Sequence, residues 1–352
     1  MKYLKLFNNH TAYETFESGG TMVKPNVSHC VQENEVHYNP HTLADEYLTF
    51  DILSSGIISW KSTGYTSSEI PIISYKINNG DWTETTSSIA GTSFNVSAGD
   101  KVRFKGNNAT YGKFTTNYST FSGSTASFDI KGNIMSLISG DSFANATTLE
   151  SAYTFTSLFS NTNVVSAENL LLPATTLAYN CYSYMFSNCT SLTKAPELPA
   201  ITLAERCYAY MFNGCTSITT APDLSATTLV AQCYDNMFRG CTNLVNAPEL
   251  SATTLADSCY NNMFRGCTSL TTAPELPITT LASGCYNYMF SGCTSLNYIK
   301  AMFTTTPGSN YTNKWVSGVA SSGTFVKNAA ASWDVTGVNG IPTGWTVETA
   351  TV

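Results

Sequence analysis

Charge is scarce in this chain of 352 residues: Asp, Glu, Lys and Arg together make up 12% of it, about half the usual share for a soluble domain. The net charge is −7, which argues against nucleic acid as a partner, because such proteins carry basic patches to meet phosphate. Histidine is scarcer still, and none follows His41. There is no glycine-rich phosphate loop and no His-Glu-x-x-His zinc motif. A hydrolase needs an acid and a base held together, or an activated nucleophile, so these absences point to a chain that is not an enzyme. Long apolar runs are missing as well. The start, MKYLKLFNNHTAYETF, lacks the apolar core of a signal peptide, and no later stretch is long enough to cross a membrane.

What the chain has is repetition. CYSYMFSNCTSL, CYAYMFNGCTSI, CYDNMFRGCTNL, CYNNMFRGCTSL and CYNYMFSGCTSL follow one another, with their first cysteines at Cys181, Cys207, Cys233, Cys259 and Cys285, each 26 residues after the last. A fixed period of this size indicates a solenoid. Within the second copy, Ala204, Cys207, Tyr208, Met211, Phe212 and Cys215 follow the spacing of a helix with one buried stripe. Thr216 to Leu224 then reads as a short strand, cut off by Pro222. Ser225 to Leu229 crosses back to the next copy. One repeat is thus expected to be strand, crossing and helix. About ten apolar side chains at about 1.5–3 kcal/mol each do not offset ordering one repeat at about 1–2 kcal/mol per residue, so stacking is obligatory. Strands about 4.8 Å apart beside helices about 8–10 Å apart predict a curved array with its strands on the concave side.

The run from Phe-x-x-Cys-Thr-Ser-Leu through Ala-Pro-Glu-Leu-Pro-Ala-Thr-Thr-Leu resembles the BspA-like leucine-rich repeats of gut anaerobes and their prophages. The resemblance covers residues 136–300, with 136–178 as a degenerate first repeat. It implies an α/β leucine-rich-repeat solenoid of short parallel strands plus helices, a role in adhesion or recognition, and no catalytic residues.

Ten of the eleven cysteines sit in these repeats. Helical spacing puts the two cysteines of one copy roughly 12 Å apart and neighbouring copies about 8–10 Å apart, beyond the roughly 7 Å reach of a disulfide. They read as free, buried, small hydrophobes, suited to folding in a reducing compartment.

The flanking regions differ in character. Residues 46–135 alternate apolar and polar, and Asn79-Gly80 lies between two such runs, a hairpin signal. They predict an antiparallel β-sandwich of immunoglobulin-like architecture. Trp60 and Trp82 there are either packing aromatics or a sugar platform. Residues 1–45 form an expected attachment or oligomerisation arm, and they resemble the start of structural proteins of phages and prophages of gut bacteria. His29, Cys30, His37 and His41 in this arm are either ordinary polar residues or ligands for zinc or another transition metal, for instance on the axis of a trimer. After Lys300 the repeat breaks, and Trp315, Trp333 and Trp345 in residues 301–352 predict a C-terminal cap over the exposed end of the stack.

Two sets of positions within the repeats bear on function. Glu197, Asp223, Glu249 and Glu275 recur with the period, as a consequence of repetition, and lean toward solvent. Side chains that vary from copy to copy fall on the outer face of the expected helix, and Tyr210, Arg239, Arg265 and Tyr288 among them form a candidate ligand face, with Trp82 as a further binding candidate. A surface rich in hydroxyls and amides together with a thiol core points to a protein folded inside a cell for use outside it. The expectation is a multi-domain, homo-oligomeric virion protein, a tail or head fibre or decoration. It would bind other virion proteins through residues 1–45 and a host-surface glycan or protein through the repeats, without nucleic acid or membrane insertion. Rival readings are a bacterial cell-surface adhesin, a purely structural decoration and a polysaccharide depolymerase.

Overall fold

The computed structural model describes residues 43–66 and 69–350; the cluster of His29, Cys30, His37 and His41 lies outside them. With strands numbered in chain order, a six-stranded sheet runs β10 (Asn169–Leu171), β9 (Phe128–Asn133), β1 (Leu48–Ile52), β6 (Lys101–Gly106), β3 (Ile73–Ile77), β4 (Thr83–Glu84). A four-stranded sheet runs β5 (Thr92–Val96), β2 (Gly56–Thr63), β8 (Asn117–Thr120), β7 (Gly112–Phe114). Alternation along β1, β2 and β6 turns Phe50, Trp60 and Phe104 inward. They meet Phe121 and Phe128 in one aromatic core, where Phe50 stacks on Phe128 with centroids 4.3 Å apart. The β3–β4 hairpin turns through Asn78, whose φ of 53° is tolerated by asparagine better than by most residues.

The repeats are where the sequence-based expectation fails. No residue between 151 and 350 is helical; a four-residue α-helix, α1 (Ser136–Ser139), and a 3-10 helix over Gly140–Asn145 precede them. The α/β leucine-rich-repeat solenoid is therefore not formed. An α-helix sends every N–H to the carbonyl four residues back. Here alternate N–H groups go in different directions. Those of Cys207, Ala209, Met211, Asn213 and Cys215 bond three residues back within their own coil, whereas those of Arg206, Tyr208, Tyr210, Phe212 and Gly214 bond the carbonyls of Ala231, Cys233, Asp235, Met237 and Arg239 in the next. Each coil is a chain of overlapping turns, half of whose donors tie it to its neighbour.

Left-handed residues make this possible. Arg206, Tyr210 and Gly214 have φ of 58°, 59° and 73°, as the third residue of a type II turn requires. The pattern recurs at Asn180, Tyr184, Asn188, at Gln232, Asn236, Gly240, and at Ser258, Asn262, Gly266. Left-handed residues at every fourth position cannot propagate a right-handed helix. The expected strand has shrunk too: between neighbouring coils it leaves isolated bridges such as Thr220 with Asn246. Only beyond the last cysteine do β11 (Tyr298–Ala301), β12 (Thr324–Lys327) and β13 (Thr346–Thr349) make a parallel sheet.

Identical side chains stack along the array. Tyr182, Tyr208, Tyr234, Tyr260 and Tyr286 form one buried column with centroids 5.7 to 6.1 Å apart, and Phe186, Phe212, Phe238, Phe264 and Phe290 form another. Because the turn side of each coil stacks at this spacing, the wide helix spacing that was to bend the array never arises. The ladder also outlasts the motif: Phe290 and Gly292 donate to Trp315 and Ser317, and Trp315 is fully buried with its indole N–H on the Gly340 carbonyl at 2.9 Å. Trp333 and Trp345 are likewise buried and donate to Phe303 and Ala320.

The ten cysteines are free and buried. The reason differs from helical spacing, since stacked coils bring equivalent residues close. Cys189, Cys215, Cys241, Cys267 and Cys293 each donate S–H to the carbonyl of Phe159, Phe186, Phe212, Phe238 and Phe264, at 3.0 to 3.1 Å. Burial pushes Cys241 and Cys293 up to about 12, so the nucleophilic thiolate is suppressed.

Candidate binding face

Several of the variable side chains of the turns lie together on one face of the ladder. Tyr184 and Tyr210, in successive coils, stack with centroids 4.5 Å apart and planes 9° apart. They line a shallow groove of ≈ 550 Å³ with Ser187, Asn188, Asn213 and Arg239, and Tyr118 from β8 joins them from the four-stranded sheet. The residues lining this groove are hydroxyl, amide, phenol, guanidinium and glycine, with neither a carboxylate nor an imidazole among them. That set offers flat apolar rings beside neutral hydrogen-bonding groups and one cation; it does not assemble an acid and a base.

Beneath the groove lies Asp235, buried in the coil after Tyr210. Its Oδ1 accepts from the amides of Asn236 at 2.6 Å and Asn261 at 2.8 Å. Burial pushes its carboxyl up to about 6, against the opposing pull of those amides and of the positive charges of Arg206 and Arg239. The guanidiniums are held by amides: Arg206 Nε donates to Gln232 at 2.6 Å, Arg239 to Asn236 at 3.5 Å and Arg265 to Asn262 at 3.3 Å. Arg265 also lies over the ring of Tyr288, 5.4 Å from its centroid.

Of the residues expected to bind, the structure brings Tyr210 and Arg239 into one groove and pairs Arg265 with Tyr288 farther along the same face. Trp82 is elsewhere, beside β4, with the edge of Tyr47 at 5.2 Å and the ammonium groups of Lys105 and Lys76 at 4.6 and 5.0 Å from its ring. Trp60 is core, its N–H on the Pro71 carbonyl at 3.2 Å. The recurring acids Glu197, Asp223, Glu249 and Glu275 are exposed, and Glu275 pairs with Lys300 at 2.8 Å. No group of three or more His, Cys, Asp and Glu among the described residues is arranged to hold a metal ion, and no helix among them is long and apolar enough to cross a membrane.

Sequence reasoning missed Tyr184 and Tyr118. Tyr184 stands 26 residues before Tyr210, so alignment of the copies carries the signal. Nothing in the sequence announces that Tyr118 meets the ladder. No family model, no curated protein and no solved structure matches this chain.

Proposed function

We propose that the chain is a non-catalytic recognition protein whose ladder face binds glycans on a bacterial surface. One observation carries this reading: bulky side chains occupy backbone positions that penalise them. Tyr184, Arg206, Tyr210 and Tyr288 are all left-handed, a conformation costing about 1–2 kcal/mol for an ordinary L-residue. Equivalent places in other coils hold the cheaper Asn180, Asn236, Asn262 and Gly284. Residues kept at a conformational cost mark places where something other than folding is selected. Two of them, Tyr184 and Tyr210, build a flat aromatic pair flanked by Asn213, Asn188 and Ser187, a surface that suits the apolar face and hydroxyls of a sugar ring.

The low charge and the reduced thiol core favour a chain made in a cell's reducing interior and used outside it. Within that frame we read it as a virion component engaged in host adhesion, with the arm before residue 46 joining it to the particle. Purified full-length protein on an array of bacterial surface glycans tests the binding: retention of a subset, lost on Tyr210→Ala, is expected. If no glycan is retained, or Tyr210→Ala binds unchanged, the reading fails. Adhesion is tested separately, by whether soluble protein competes with phage adsorption to the host.

A further inference from the structure

We infer that this face selects acidic saccharide chains, gripping successive sugar carboxylates with Arg239 and Arg265. The inference rests on the glycan reading above and goes beyond it by naming the chemistry of the ligand.

The contrast between lysines and arginines motivates it. Lys105, Lys113, Lys131, Lys194, Lys300 and Lys327 each lie within ion-pair distance of a carboxylate. The chain has four arginines, and three of them, Arg206, Arg239 and Arg265, stand on the ladder face. Among the described residues, none of these three is in ion-pair contact with an acid. In a protein of net charge −7, carboxylates are not in short supply. The partners chosen instead are the amide oxygens of Gln232, Asn236 and Asn262, which orient a guanidinium without neutralising it. Each guanidinium has five N–H donors in a planar fork that matches a carboxylate, so Arg239 and Arg265 keep most of theirs for a ligand.

Their placement fits a linear ligand. Arg239 and Arg265 occupy the same position in successive coils, and the rings of Phe238 and Phe264, which precede them, are 5.8 Å apart. The two positive charges therefore repeat along the ladder axis. The Tyr184–Tyr210 stack lies at one end of this line and Tyr288, under Arg265, at the other. Among the described residues, Asp235 is the buried acid that feels the charges of Arg206 and Arg239. Its Oδ1 is committed to two amides and it opposes an incoming anion, so its removal strengthens binding.

The probe is a set of acidic oligosaccharides rich in uronic acids, each paired with its carboxyl-reduced counterpart, which keeps every ring and hydroxyl and loses only the charge. Wild-type protein is expected to hold the acidic member at least tenfold more tightly. Arg239→Gln with Arg265→Gln, whose side chains retain an amide and whose melting temperature reports retained fold, is expected to erase that preference, so that the acidic and the reduced members bind alike. Asp235→Asn is expected to sharpen it. Equal binding of both members, preference for sulfated saccharides alone, or a preference that survives the double variant overturns the inference while the glycan reading stands. If no member of either kind binds, the inference falls, and the array of bacterial surface glycans decides separately whether the glycan reading falls with it.

Discussion

Tyr184 and Tyr210 lie ring on ring, 4.5 Å apart, and each holds a left-handed backbone, with φ of 57° and 59°. Tyr208, two residues before Tyr210, sits in the buried column with 1% exposure. The two tyrosines therefore answer differently to the same change. Tyr210→Asn relieves about 1 kcal/mol of backbone cost and gives up a ring pair worth about 0.5–1.5 kcal/mol, for a net change within about 1 kcal/mol. Tyr208→Asn leaves a void and an unpaired amide in the core and is expected to cost more than about 3 kcal/mol. Denaturant unfolding of the two variants separates them, and similar losses would refute the assignment of Tyr210 to a surface role.

Much of this was legible in advance, and the failure is informative. The period and the inward columns of Cys, Tyr, Met and Phe were readable because burial depends on which residues repeat; the variable positions were not all outward, since Ala209, Asp235 and Asn236 are buried. The local conformation was not readable. A buried stripe of residues four apart, such as Cys207, Met211 and Cys215, differs from a helical 3.6 period by less than one residue over two turns, so hydrophobic spacing alone fits both helix and turn ladder. The discriminating signal was the run Asn161, Asn188, Gly214, Gly240, Gly266, Gly292, in which each coil places a residue tolerant of positive φ at one position. Asparagine and glycine four residues apart inside a supposed helix speak against it.

That column makes its own prediction. Gly240 has φ of 74°, and a Cβ there would meet only the backbone of Gly214 at 3.8 Å, an ordinary contact. Gly240→Ala is therefore penalised by conformation alone, by about 1–2 kcal/mol. Gly240→Asn is expected to lose less than half as much, as Asn188 holds the equivalent position. Thermal unfolding of both checks the order, and an alanine variant as stable as wild type would remove the turn-ladder explanation.

The thiol column predicts chemical silence. Cys241 Sγ is 3.1 Å from the Phe212 carbonyl, which also accepts the Cys215 N–H. Cys241→Ser preserves a donor of similar reach and is expected to cost less than Cys241→Ala, which loses about 1 kcal/mol of hydrogen bond plus a small cavity. A disulfide-exchange reagent added to folded protein should leave the cysteines of the repeats unmodified until denaturant is present. Rapid labelling under native conditions would contradict the burial described for them.

Asp235 gives the pH dependence. Its folded pKa of about 6 stands above the ordinary 3.8, so between these values the folded state holds a proton that the unfolded chain has released. Stability from this group is therefore fully present below about pH 4 and falls as pH rises toward 6, by up to about 3 kcal/mol. Other carboxylates pull oppositely: Asp141 is held low by hydrogen bonds from Lys105 and Tyr47, and Asp100 by the Ser97 N–H. The wild-type curve thus mixes signs, and the difference between wild type and Asp235→Asn isolates the one group. Asparagine already occupies the same place in the following coils, as Asn261 and Asn287, so the substitution suits the ladder. We expect Asp235→Asn to match wild type near pH 4 and to exceed it by about 1–3 kcal/mol at pH 7.5. Parallel stability curves across that range would show that the Asp235 carboxyl is not held above its ordinary value.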